Sequence, residues 1–141
     1  MMTRMRRCHR QASWAWVATL MLLFLFSCAS TSPEQEAAEA AKTYYERLAN
    51  GYAEGFLEGK ANVDSLPTAY CEQLLTSVKQ YQQDMQLKHG GLHEVRISPN
   101  VGKTDSTLHL TYAFLMLCFG DSTQEEVVVP MVQADGEWWM K

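Results

Sequence analysis

The stretch GGLHEVRIS, residues 90–98, separates two hydrophobic patterns in this chain. Upstream of it, apolar residues recur every three or four positions, which is typical of amphipathic helices. Downstream, apolar and polar residues begin to alternate, which is typical of β-strands, and this β character continues to the C-terminus. Helices followed by strands in one small domain predict an α+β fold in which the helices pack on an antiparallel sheet.

The upstream half contains signals for two long helices. Ser32-Pro33-Glu34 offers an N-cap oxygen, a proline that the first turn tolerates and an acid at the positive end of the helix dipole, and Asn50-Gly51 ends this helix. The second long helix is predicted to begin at Pro67 or Thr68 and to end at the glycine pair. Its buried stripe is predicted to consist of Tyr70, Leu74, Leu75, Val78, Tyr81, Met85 and Leu87.

The segment between the two long helices is less regular. Residues 52–60 have a helical spacing weakened by two glycines, which predicts a short helix. Residues 62–67 end in a proline, whose preceding residue avoids the helical region, and are predicted to be a loop.

The downstream half predicts four antiparallel strands in a meander, at residues 92–98, 107–119, 123–133 and 137–141. Asp135-Gly136 is the strongest short hairpin signal among the turns. The strand over residues 107–119 is apolar on both faces, and only one face can meet the helices. The apolar residues of the other face predict that it lines an internal pocket or contacts a partner subunit. That subunit could be a second copy of this chain, which would make a homodimer.

The first 27 residues are typical of a secretion signal. Four arginines precede an apolar run over residues 12–26, which is short for a membrane span. The run ends in Leu25-Phe26-Ser27-Cys28, which resembles the lipobox of bacterial lipoproteins. The resemblance implies that residues 1–27 are removed and that Cys28 carries acyl chains, including palmitate. Cleavage after Ala29, which would give a soluble exported protein, and an uncleaved signal anchor are the alternatives.

Processing at Cys28 would leave a short lipidated tether, residues 28–32, and a single domain, residues 33–141. Four of the 12 Lys and Arg residues lie within residues 1–27 and none of the 16 Asp and Glu residues do, so the formal charge changes from −4 to −8. An acidic surface argues against nucleic-acid binding and against electrostatic docking on anionic lipid. The membrane contact would therefore come from acyl chains on Cys28, in the bacterial cell envelope, with the outer membrane favoured over the inner one.

The sequence contains only weak indications of a metal site or a disulfide bond. Cys71 and Cys118 could pair in an oxidising compartment or could be buried as small hydrophobic residues. His89 and His93 are four residues apart but flank two glycines, which disfavours a helical metal site. No Cys-x-x-Cys motif or His/Cys cluster with zinc spacing occurs, so neither a metal nor a cofactor is predicted.

Helices first and a curved sheet last, closing with Asp135-Gly136-Glu137-Trp138-Trp139, resemble the nuclear transport factor 2-like (cystatin-like) class and, within it, a group of small bacterial lipoproteins. The resemblance covers residues 32–141. It implies a cone-shaped α+β domain whose four-stranded antiparallel sheet wraps the helices around a central cavity. A shared fold does not imply a shared function.

Enzymes of this cone class place an acid or base and a polarising donor inside the cavity, which directs attention to polar residues that could point inward. A histidine near neutrality could accept a proton while a tyrosine hydroxyl stabilises an oxyanion. The candidate cavity-lining residues are Tyr44, Tyr45, His109, Thr111 and Trp138.

No acid and base pair stands at a recognisable spacing, so no catalytic residue is assigned. A noncatalytic domain that binds a small apolar ligand or a protein partner is therefore favoured. The alternative is a small cavity enzyme of the isomerase or dehydratase type.

Overall fold

Helix α1 (Pro33–Ala49) begins at the N-cap that the sequence predicted. In the computed structural model, which describes residues 30–141, the hydroxyl of Ser32 accepts a hydrogen bond from the amide of Gln35 at 3.2 Å. At the other end, the amide of Asn50 donates to the carbonyl of Glu46. The apolar side of this helix faces the interior, where Ala37, Ala38, Ala41 and Leu48 are buried.

Two short helical segments and one long helix follow. They are α2 (Ala53–Leu57), a 3-10 turn (Val63–Ser65) inside the predicted loop, and α3 (Thr68–His89). Gly90 ends α3 in the left-handed conformation, with φ of +73°, and its amide donates to Gln86. Glycine adopts this conformation without the steric cost of a side chain, which explains why the helix ends here.

The predicted burial of α3 is wrong. None of its 22 residues is buried, and Leu87, which was placed in the buried stripe, is 84% exposed. The physical reason is that no other element covers α3 along its whole length among the described residues. The apolar side of the helix is therefore only partly shielded from solvent. No helix among residues 30–141 is long and apolar enough to cross a membrane.

The sheet contains β1 (Leu92–Asp105), β2 (Leu110–Phe119), β3 (Gln124–Ala134) and β4 (Glu137–Met140), in the order β1-β2-β3-β4. All neighbouring pairs are antiparallel, which confirms the predicted four-stranded meander and the α+β class. The free edge of β4 is partly covered, because the amide of Met140 donates to Gly59 and its carbonyl accepts from Ala61.

Strand β1 is longer than predicted. It continues through Pro99 because a bulge places residues 98–101 opposite the single residue Phe114. Val101 in this bulge has φ of +55°, a rare conformation for a β-branched residue. Proline is tolerated where a bulge interrupts the ladder.

Strand β2 begins later than predicted. The carboxylate of Asp105 accepts hydrogen bonds from the amides of Thr107 and Leu108, at 2.9 and 3.1 Å, and this holds residues 106–109 in a turn. Pairing with β3 then starts at Thr111.

The core lies between α1 and one face of the sheet. Every second residue of β2 from Thr111 to Phe119 is buried there, and small alanines on α1 allow the helix to approach closely. The core cluster consists of Ala37, Ala38, Ala41, Val95, Ala113, Leu115, Leu117, Phe119, Val129, Met131 and Met140. These side chains lie between α1 and the sheet, where the family resemblance implied a central cavity.

Cys71 and Cys118 are free thiols in the structure, and only Cys118 is buried. The disulfide alternative is therefore not realised. The predicted signal segment, residues 1–27, and the proposed acylation site Cys28 lie outside the described residues.

Candidate functional site

One apolar groove lies where the end of α1, the second half of α3 and the start of β1 meet. Its volume is about 460 Å³, and its walls include Leu48, Tyr81, Met85 and Leu92. The Gln82 side chain donates to the carbonyl of Leu48 at 2.9 Å and so joins the two helices across the groove. Lys79 forms a second link, a 2.9 Å salt bridge to Glu54 of α2.

The polar groups of this groove are mostly uncharged. Gln82, Gln83 and Gln86 present amides, and His93 is hydrogen-bonded through Nε2 to the carbonyl of Gly90 at 3.1 Å. Burial raises the pKa of the Tyr81 hydroxyl, and the nearby Glu125 carboxylate raises it further. Tyr81 is therefore a neutral hydrogen-bonding group at physiological pH. Neutral donors and acceptors between apolar walls fit an uncharged or weakly polar ligand.

A second groove, of about 520 Å³, lies between α1 and β4 and includes two of the predicted residues, Tyr44 and Trp138. The Tyr44 hydroxyl donates to the carbonyl of Trp138 at 3.0 Å, and the Trp138 indole donates to Glu36 at 3.3 Å. Arg47 lies 5.3 Å from the centre of the Tyr44 ring. Burial raises the pKa of Tyr44. These bonds attach β4 to α1, so both polar groups already have partners.

The other three predicted residues lie elsewhere. Tyr45 packs edge-to-face on Phe56 with 5.1 Å between ring centres, and burial raises its pKa. Thr111 is buried, with its hydroxyl 3.2 Å from that of Thr104. His109 is exposed in the turn before β2, with φ of +52°, and does not lie on the strand where the sequence placed it. The five residues therefore do not line one cavity.

A polar cluster that no sequence motif indicates lies at the junction of α3 and the sheet. Nδ1 of His89 lies 2.8 Å from a carboxylate oxygen of Asp121, and the hydroxyl of Thr123 donates to the other oxygen at 2.6 Å. The hydrogen bonds from Thr123, joined by that from His89, lower the pKa of Asp121 to about 2. His89 and Asp121 are 32 residues apart, so no spacing in the sequence indicates this contact.

The histidines beside the glycine pair are therefore engaged in hydrogen bonds. No group of three or more His, Cys, Asp or Glu side chains that could hold a metal ion occurs within residues 30–141. The carboxylates whose pKa is shifted are Glu34, Glu54, Glu94 and Asp121, and every shift is downward, caused first by a side-chain hydrogen bond.

No family model matches the sequence, and no curated protein matches it. One similar solved structure is that of a protein named as an NTF2-like transpeptidase from Campylobacter jejuni. It aligns with a TM-score of 0.52 at 13% sequence identity, over 78% of this chain and 97% of that chain. At this identity the similarity concerns the fold alone, and it agrees with the helices and the open four-stranded sheet described above. Residues 32–141 are therefore a small α+β domain with the nuclear transport factor 2-like fold.

Proposed function

We propose that this protein is a lipid-anchored protein of the bacterial cell envelope whose domain binds a small apolar ligand without transforming it. The observation that carries the binding part is the groove beside α3. A helix of 22 residues with no buried side chain lies beside an open groove with apolar walls. Each Å² of apolar surface that a ligand removes from contact with water contributes about 25 cal/mol of favourable binding free energy.

The shape of the groove favours a small ligand over a long peptide. The Gln82 bond to Leu48 crosses the groove, and Leu92 and His93 at the start of β1 form part of its wall. Its volume of about 460 Å³ is in the range of small-molecule sites. Among its walls, Lys79 is already paired with Glu54, which leaves neutral amides and a tyrosine hydroxyl to orient the ligand.

The acid and base chemistry of the described residues favours binding over catalysis. A general acid at neutral pH needs a raised carboxyl pKa, whereas the shifted carboxylates here are all lowered. The interior beneath α1, where a cone enzyme would hold substrate, contains buried apolar side chains such as Leu115 and Met131.

Transpeptidation, which the name of the Campylobacter jejuni protein indicates for that protein, has little support in this chain. It needs an activated nucleophile. Cys118 is buried, and the thiol of Cys71 faces the carbonyls of Val63 and Leu66 at 3.8 and 4.0 Å. Neither of these described thiols forms a hydrogen bond with a base.

The groove is tested with the fluorescent apolar probe N-phenyl-1-naphthylamine and the purified chain. Tyr81→Ser removes an aromatic wall, and Tyr70→Ser is its matched control on the same helix, since the two side chains are 37% and 45% exposed. We expect the Kd to rise about tenfold for Tyr81→Ser, as for the loss of ~1.4 kcal/mol of contact, and to stay unchanged for Tyr70→Ser. Equal effects of the two changes on the Kd, or no probe binding by the unaltered chain, would contradict the proposal that the ligand binds in this groove.

The anchor is tested separately by intact-mass measurement of protein isolated from a bacterial envelope. Leu25-Phe26-Ser27-Cys28 and the short tether to Ser32 support the expectation that the mature chain begins at Cys28 and carries acyl chains. Cys28→Ser should abolish the added mass and release the chain from the membrane fraction. An unacylated chain that begins at Ser30 would instead support ordinary signal cleavage after Ala29.

A further inference from the structure

The groove between α1 and β4 has an aromatic wall. Tyr44, Trp138 and Trp139 line it, and each of these side chains is partly exposed. The bonds that attach β4 to α1 use the hydroxyl of Tyr44 and the indole nitrogen of Trp138, which lie at the edges of the rings. An indole bonded through its nitrogen can still stack through its face, so these bonds leave aromatic surface for a ligand.

The opposite wall of this groove is one side of α1. It consists of Ala40, Thr43, Tyr44 and Arg47, which follow one another at spacings of three and four residues and so share a single side of the helix. The groove has a volume of about 520 Å³, which is in the range of sites for small organic molecules.

The groove carries charges of both signs that can form further hydrogen bonds. The polar contacts of Arg47 within residues 30–141 both use Nη1, which donates to the carbonyl of Gly55 at 2.9 Å and to Glu58 at 3.4 Å. The donors on Nη2 and Nε of this guanidinium therefore remain for a ligand. Glu137, at the start of β4, is exposed and forms no salt bridge with any residue between 30 and 141, so its carboxylate can accept hydrogen bonds from a ligand.

This combination of charges disfavours a charged ligand. An anion would meet the carboxylates of Glu58 and Glu137. An organic cation would compete with Arg47, whose guanidinium already lies 5.3 Å from the centre of the Tyr44 ring, where a cation–π ligand would bind. A neutral ligand with several hydroxyl groups avoids both conflicts, because each hydroxyl can accept from the guanidinium or donate to a carboxylate.

We propose that the groove between α1 and β4 binds a neutral saccharide. The sugar ring stacks its C–H groups on tryptophan, whose ring face is electronegative, and its hydroxyl groups bond to Arg47 and Glu137. This site is separate from the α3 groove, since no residue lines both grooves. Failure of either proposed site therefore leaves the other intact.

The test is a fluorescence titration of the full chain, purified in a detergent without sugar groups, with the neutral trisaccharide cellotriose. Trp14→Phe and Trp16→Phe leave Trp138 and Trp139 as the only tryptophans of the chain, so the emission reports on this groove. We expect a saturable change of the emission with cellotriose. Tetramethylammonium chloride, the probe for a cation–π site, should give no change at the same concentrations.

The residues of the site are tested in the same chain. Glu137→Ala should raise the Kd for cellotriose about tenfold, as for the loss of a hydrogen bond to a charged group. Glu125→Ala is the matched control, since this glutamate is exposed on the neighbouring strand β3 outside the groove, and it should leave the Kd unchanged. Trp139→Leu tests the stacking and should raise the Kd by a similar factor. Trp138 is retained because its bonds hold β4 to α1.

The exposed position of Glu137 keeps the test independent of folding, and an unchanged circular dichroism spectrum of Glu137→Ala checks this directly. No saturable response to cellotriose, or a response to tetramethylammonium of equal affinity, would overturn the proposal. So would a Kd that Glu137→Ala leaves unchanged, or equal losses from Glu137→Ala and Glu125→Ala.

Discussion

Asp121 is held ionised by Thr123 and His89, with a pKa of about 2 against an ordinary value of 3.8. A lowered folded-state pKa contributes stability that is complete above about pH 4 and is lost as the pH falls through about 2. We expect Asp121→Asn to lower the melting temperature at pH 7 and to reduce the acid-induced loss of stability between pH 4 and 2. Thermal unfolding monitored by circular dichroism across this range measures both effects.

Asp64→Asn is the control for Asp121, because Asp64 is exposed in the 3-10 turn. It should leave the stability and its acid dependence near those of the unaltered chain. The same acid profile for Asp121→Asn and the unaltered chain would show that the junction cluster does not stabilise the fold.

Gly120 is a position where a side chain does not fit. A Cβ there would lie 2.6 Å from the backbone carbonyl oxygen of Gly90, the residue that ends α3. Gly120→Ala should therefore cost about 1–3 kcal/mol in the free energy of unfolding, measured by urea denaturation. Gly90→Asn is the comparison, since asparagine tolerates the left-handed conformation and a Cβ at Gly90 has nothing closer than 3.5 Å. A smaller loss for Gly120→Ala than for Gly90→Asn would contradict the close approach.

The helices and strands differ in how much of the core they supply. Leu115 on β2 is fully buried, whereas Leu75 on α3 is only half-buried in a helix without buried residues. Leu115→Ala should cost about 2–5 kcal/mol of unfolding free energy, and Leu75→Ala less than about 1 kcal/mol. Urea denaturation of the two variants provides the comparison, and similar losses would mean that α3 packs more tightly in solution.

The ends of the two long helices could be predicted because their signals are local. Ser32 and Gly90 act within one helical turn, and both ends were predicted within a residue. The burial of α3 could not be predicted in the same way. An apolar stripe from Tyr70 to Met85 indicates which side of a helix faces other groups, but not whether enough chain is present to cover it.

The candidate site was predicted less well, because it depends on contacts between distant residues. Tyr44 and Trp138 do meet, across 94 positions, as a structural link between α1 and β4. His109 was expected on a strand, but the side chain of Asp105 holds the preceding residues in a turn. The groove walls combine three separate elements, and no single stretch of sequence carries that arrangement.

The charge of the whole molecule determines how it could meet a membrane. With residues 1–27 removed, the formal charge is −8, so an anionic bilayer repels the domain. A chain that begins at residue 28 and lacks acyl groups should therefore fail to sediment with phosphatidylglycerol vesicles even at low salt. The acylated chain should sediment with them at both low and high salt, because acyl insertion is not screened by ions. Salt-sensitive binding of the unacylated chain would reveal a basic surface that the composition does not predict.

A hydrogen bond from Thr104 to Glu34 fastens the first turn of α1 to the end of the sheet at which β2 begins. Cys28 and Ser32 are four positions apart, and an extended chain spans at most about 3.6 Å per residue. Acyl chains on Cys28 would therefore keep the start of α1 within about 15 Å of the bilayer, and the end of the sheet joined to it would be held near the lipid as well.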